Sequence, residues 1–134
     1  MVDSDRDAPG SALTKGQAMA RTPQETFQHH VEALGAGDLD EIVADYTVDA
    51  IFIGNGTVRH GRDGVRQGLA ELLDTLPNAS WQLVTTVFEG DILYLEWTAD
   101  SAKNRVQDGT VTFVFTPDGQ IRVQTVMYTP ESTG

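Results

Sequence analysis

The stretch Ser80–Thr129, SWQLVTTVFEGDILYLEWTADSAKNRVQDGTVTFVFTPDGQIRVQTVMYT, decides the fold. Trp81 to Phe88, Ile92 to Ala102, Arg105 to Thr116 and Gln120 to Thr129 alternate apolar and β-branched residues with polar ones, the period of a strand. Glu89-Gly90-Asp91, Lys103-Asn104 and Pro117-Asp118-Gly119 interrupt them with turn-forming residues. Connections this short pair successive strands antiparallel. A meander of four strands needs a cover for its apolar face, and the residues ahead of it supply one.

Those earlier residues read as helices. Thr22 caps a helix, Pro23 suits its first position, and Glu25 completes a capping box. Phe27, His30, Val31 and Leu34 share one face, and Gly35-Ala36-Gly37 stops the helix. Asp38 and Glu41 open a second helix, with Leu39, Ile42, Val43 and Tyr46 on its buried side. Ala50-Ile51-Phe52-Ile53 is a short strand turned by Gly54-Asn55-Gly56, and Thr57-Val58-Arg59 is its returning edge. Gly61 opens a third helix striped by Val65, Leu69, Leu72, Leu73 and Leu76, and Pro77 ends it. The expectation is an α+β domain over residues 22–130, with a mobile tail over 1–21 and a short tail over 131–134.

Composition narrows the function classes. The chain has 134 residues, no cysteine and a formal net charge of −11. Without cysteine there is no disulfide, thiolate metal site or thiol nucleophile. The negative charge argues against nucleic acid and anionic membrane surfaces as partners. No apolar run is long enough to span a bilayer, and the polar, acidic start does not read as a secretory signal, so the expected location is cytoplasmic.

Several segments resemble one known family in order and spacing. His29-His30-Val31-Glu32-Ala33-Leu34-Gly35-Ala36-Gly37-Asp38-Leu39-Asp40-Glu41-Ile42-Val43-Ala44-Asp45-Tyr46 resembles the opening helical hairpin of SnoaL-like proteins and ketosteroid isomerases, within the nuclear-transport-factor-2-like superfamily. Val48-Asp49-Ala50-Ile51-Phe52 resembles their first strand, and Gly61-Arg62-Asp63-Gly64-Val65-Arg66 the start of their third helix. Asp108-Gly109-Thr110-Val111-Thr112-Phe113 and Gln124-Thr125-Val126-Met127-Tyr128 are similar to their last two strands. The resemblance spans roughly residues 23–129. It implies a cone-shaped α+β barrel: three N-terminal helices on a curved mixed or antiparallel sheet, enclosing an apolar pocket. It also implies a homodimer through the outer sheet face.

Matched position by position, the resemblance withholds the isomerase machinery. Where ketosteroid isomerases carry a carboxylate base, an acid and a tyrosine, this sequence has Gly54, Val111 and His30. Steroid isomerisation by that mechanism is therefore not expected. Strand alternation turns Val111, Phe113 and Phe115 the same way, toward the pocket. Matching segments turn Phe52, Gly54, Tyr94, Glu96, Thr98, Gln124, Val126 and Tyr128 there too, with His30, Leu34, Tyr46 and Leu69 from the helices.

Three of these residues carry the expected acid–base chemistry: His30, Tyr46 and Glu96. A histidine exchanges protons near neutral pH, and Tyr46 is its expected hydrogen-bond partner. The alternative is a helix histidine satisfied by Tyr46 or a carbonyl. Glu96, in an otherwise apolar strand, would have its pKa raised by desolvation if it points inward. Outward, it would pair with Arg105 or Arg122. Phe52, Tyr94, Thr98, Val111, Phe113, Gln124 and Tyr128 are the expected substrate contacts. His29 is read as solvent-facing, His60 as a loop residue, and Trp97 as packing at a dimer face. The scattered histidines predict no metal, and no cofactor motif is present. Two functions stay open: a cofactor-free cyclase or isomerase acting on a small apolar oxygenated ligand, or a non-catalytic binding or dimerisation module. A third, an epoxide-hydrolase-like site, needs an Asp–Arg–Asp cluster inside the cavity, and the sequence offers no obvious inward Arg to complete one.

Overall fold

The computed structural model describes residues 20–133, so most of the tail expected over 1–21 lies outside the described residues. The chain runs α1 (Pro23–Ala36), α2 (Leu39–Val43), β1 (Tyr46–Gly54), β2 (Thr57–His60), α3 (Gly61–Thr75), β3 (Ser80–Glu89), β4 (Ile92–Asp100), β5 (Asn104–Phe115), β6 (Ile121–Met127) and β7 (Glu131–Ser132). The capping box forms as expected: Glu25 N–H donates to Thr22 Oγ1 at 3.1 Å, and Thr22 N–H donates to Glu25 Oε1 at 2.9 Å. Such caps are worth about 1 kcal/mol each. Asp38 likewise accepts from Glu41 N–H, but the Glu41 carboxylate turns to His29 instead of back to the cap.

The strands form one sheet in the order β2-β1-β6-β5-β4-β3, with β7 added beside β5. Five of its pairings are antiparallel, whereas β1 and β6 run parallel. The sheet is therefore mixed and open, not a closed barrel. Its helices are not all N-terminal either, because α3 follows the β1–β2 hairpin. That hairpin turns at Asn55 and Gly56, whose φ values of 52° and 78° give the twist a two-residue connection needs. Tyr46, expected on α2, instead begins β1. Arg62 from α3 pins its carbonyl with two hydrogen bonds of 2.9 and 2.7 Å. Residues expected in a C-terminal tail supply β7, pairing with Asn104 and Arg105.

The core lies between the helices and one sheet face. Ile42, Val65, Leu69, Leu76, Leu93 and Phe113 are all essentially inaccessible there. Val111, Phe113 and Phe115 are buried at alternating positions of β5, as the strand period requires. Two glycines allow close approach: α3 passes over the Phe52 ring at Gly68, and the Trp97 indole lies on Gly109. No helix among the described residues is long and apolar enough to cross a membrane.

Candidate functional site

A cavity of about 510 Å³ opens between the α1–α3 layer and the sheet, within the range of small-molecule sites. Phe27, His30 and Leu34 from α1 and Leu69 and Leu72 from α3 form one wall. Leu95 and Trp97 from β4, Val111 and Phe113 from β5, and Gln124 from β6 form the other. Val31, Gln82 and Leu83 sit at the exposed rim and mark the mouth. Among the described residues, His30 is the sole titratable side chain in this lining.

His30 is buried, with its ring edge-on to Phe113 at 5.2 Å and to Tyr46 at 6.0 Å. The expected His30–Tyr46 hydrogen bond does not form, because the Tyr46 hydroxyl donates to Gln124 Oε1. Nor does a carbonyl satisfy the ring: His30 Nδ1 is sealed from solvent and has no hydrogen-bond partner. Burial, helped by the neighbouring charge on His29, lowers the His30 pKa to about 4, so the ring is neutral at pH 7. Burial also raises the Tyr46 phenol, which stays protonated. The indole nitrogen of Trp97, another wall residue, is likewise buried without an acceptor.

The remaining expected site residues divide by face. Val111, Phe113 and Gln124 reach the cavity, Tyr46 stands behind Gln124, and Phe52 and Tyr128 belong to the surrounding core. Tyr94, Glu96 and Thr98 do not point inward. On β4 the buried positions are Leu93, Leu95, Trp97 and Ala99, which leaves those three on the outer face. There the Tyr94 hydroxyl donates to Glu96 Oε2 at 2.9 Å. Hydrogen bonds from Thr85 and Tyr94 hold the Glu96 carboxyl below its ordinary range, the reverse of a desolvated acid. Arg105 pairs with Asp100, not Glu96. Trp97 packs against Trp81 and Tyr128, as expected of a packing residue, but on the inner face, where it forms the cavity wall and not an outer dimer face.

Sequence reasoning also missed Asp45. Its carboxylate is almost fully buried, lies 2.8 Å from His29 Nδ1 through both oxygens, and receives Arg21 at 3.1 Å. His29, expected in solvent, is held between Asp45 and Glu41, which together raise its pKa. The signal available was the run Ala44-Asp45-Tyr46, an acid between two buried segments. Among the described residues, no three His, Asp or Glu side chains gather into a metal-ligand group.

The sequence pattern of the SnoaL-like domain matches residues 27–124. The chain belongs to the SnoaL-like family. Among solved structures, one that this SnoaL-like chain resembles is SalBIII, an epoxide hydrolase/cyclase-like enzyme with a role in pyran ring formation in the polyether salinomycin. The two are 20% identical with a TM-score of 0.68, over 80% of this chain and 90% of that one. A SnoaL-like protein of unknown function from Burkholderia thailandensis is 18% identical with a TM-score of 0.64, over 87% and 98%. A de novo designed protein with a curved β-sheet reaches a TM-score of 0.69 at 13% identity, over 81% and 85%. Likeness at such identities speaks for the fold, which a sequence with no evolutionary history also adopts. No curated protein matches.

Proposed function

We propose that this SnoaL-like chain is a cytoplasmic small-molecule pocket protein of the cyclase or isomerase kind, acting without a cofactor on an apolar, oxygenated, ring-sized ligand. The observation that carries the reading is one neutral histidine, the sole titratable group among the described residues of a mostly apolar cavity large enough for such a ligand. His30 is the proton-transfer group. Gln124, braced by Tyr46, orients a polar substituent, and Trp97 Nε1–H awaits a ligand oxygen. Glu96 has no part in this mechanism. The epoxide-hydrolase chemistry of an Asp–Arg–Asp cluster is not proposed, since among the described residues neither residue type lines the cavity.

The test is a thermal-shift screen of wild type and His30→Leu against cyclic ketones, polyketide-like aromatics, epoxides and steroids. A ligand at a hundred times its Kd should add about 2.7 kcal/mol of stability to the wild type, and a smaller gain to the variant. If neither protein shifts with any class, the ligand reading fails. The second reading, a binding module without catalysis, is favoured by the absence of any carboxylate among the described residues of the cavity lining. It predicts a hit that is recovered unchanged after long incubation.

The proposed partner is a second copy, docked through the outer sheet face. Val87, Ile92 and Met127 are exposed, and the cross-strand row Tyr94–Thr112–Thr125 forms a nearly uncharged centre. Light scattering at micromolar concentration should give a dimer mass for the wild type and a monomer mass for Thr112→Arg. A monomeric wild type defeats the proposal.

A further inference from the structure

Two consecutive histidines flank one buried carboxylate. Successive helix residues diverge by about 100°, so His29 leaves α1 toward the surface while His30 enters the cavity wall. Asp45, just ahead of β1, lies between them. His29 Nδ1 is 2.8 Å from its oxygens, and His30 Nδ1 is 4.0 Å from Oδ2. Asp45 is held in place: Arg21 pairs with its carboxylate, Glu41 holds the far nitrogen of His29, and its backbone carbonyl accepts from Ile121 N–H of β6 at 2.8 Å. Among the described residues, the other groups against the His30 ring are uncharged: Tyr46 from β1 and Phe113 from β5. Gln124 from β6 shares the cavity lining, and its oxygen already takes the Tyr46 hydroxyl.

We infer that Asp45 is a positioning residue that holds His30 as the Nδ1–H tautomer, so that Nε2 meets the cavity as a hydrogen-bond and proton acceptor. The inference rests on the reading of His30 as the working group of the pocket. In the opposite tautomer the Nδ1 lone pair would face the carboxylate, an arrangement repelled in a site that water cannot screen. The 4.0 Å separation exceeds a hydrogen bond, and a ring shift of about an ångström closes it, as such contacts close when ligand binds. The ligand class follows. A group presented to Nε2 must donate, so an enol, phenol, alcohol or acidified C–H is taken in preference to a bare ketone, whose oxygen would meet a lone pair.

Nitrogen-15 NMR of the imidazoles, on the full chain without ligand near neutral pH, reads the tautomer directly. In wild type, His30 Nδ1 should show a proton-bearing shift and Nε2 a lone-pair shift. Asp45→Asn places an amide N–H donor within reach of Nδ1 and should reverse the two, the same wrong-tautomer logic known for an Asp→Asn change beside a catalytic histidine. His29→Gln keeps the carboxylate and should leave the His30 tautomer in place. A wild-type His30 carrying its proton on Nε2 overturns the inference, as does a folded Asp45→Asn that keeps the wild-type pattern. Should Asp45→Asn fail to fold, the wild-type and His29→Gln spectra still decide. The Nδ1–H tautomer together with an empty ligand screen would refute the pocket function alone. A ligand hit with the Nε2–H tautomer would refute the role of Asp45 alone.

Discussion

Gly109→Val should cost about 3 kcal/mol of stability and lower the melting temperature by on the order of 10 °C. A Cβ at this position would lie 2.2 Å from Cε2 and 2.3 Å from Cδ2 of Trp97, inside any tolerable contact. The indole is rigid and cannot bend aside like an aliphatic chain. It is also boxed in, with Trp81 at 5.5 Å and Tyr128 at 5.8 Å. Because Gly109 and Trp97 are register partners, the conflict is relieved only by swinging the indole into the cavity or by parting β4 from β5. Either response removes the wall that a ligand would touch, so any ligand-induced thermal shift should vanish with the stability. Urea unfolding of wild type and variant measures the effect. A difference within about 0.5 kcal/mol would mean that the indole does not rest on Gly109.

The second large effect is a loss of stability in acid that originates in one buried ring. His30 titrates at about 4 in the folded protein, against 6.5 as the ordinary value. Between these values the unfolded chain binds a proton that the folded chain refuses, so stability rises with pH across the window. The contribution is complete above pH 6.5 and is lost as pH falls toward 4, by about 3 kcal/mol. His29 has the opposite sign: its raised pKa favours the fold below 6.5, and that help fades as pH rises through its folded value. Asp45, also raised, takes up its proton first in the folded state and opposes the acid loss as well. His30→Leu should therefore flatten the decline between pH 6.5 and 4, and at pH 7 it removes an unpaired buried nitrogen. Unfolding free energies at closely spaced pH values, compared between the two proteins, decide it. An unchanged acid slope in the variant would assign the loss to other groups.

How far the sequence carried depended on whether a segment had two chemically different faces. Thr22–Glu25, the Asn55-Gly56 turn and the meander breaks were legible because capping and turn chemistry is local. On β5, Val111, Phe113 and Phe115 alternate with Thr112 and other less apolar positions, so the phase was plain. On β4 it was not. Ile92-Leu93-Tyr94-Leu95 is apolar on both faces, so the period fixes a strand without saying which side is in. Choosing the wrong phase moved Tyr94, Glu96 and Thr98 together to the cavity and Trp97 away from it. The irregular register between Trp97 and Ala99 gave no sign in the sequence. His30 and Gln124 were found through the family resemblance. Asp45 was missed because its role depends on three segments, α1, β1 and β6, meeting at one carboxylate.

The parallel pairing of β1 with β6 has a consequence for how the molecule is made. β1 is synthesised before α3, β3, β4 and β5, yet its register partners Val123 to Val126 follow all of them. While the ribosome is still working, the β1–β2 hairpin and α3 can associate, but one edge of β1 stays open until β6 emerges. Loop closure over that span is slow, and an unpaired edge is prone to illicit pairing. Chains stalled or clipped before Ile121 therefore leave the β6 side of β1 unpaired, an open strand edge of the kind that invites aggregation.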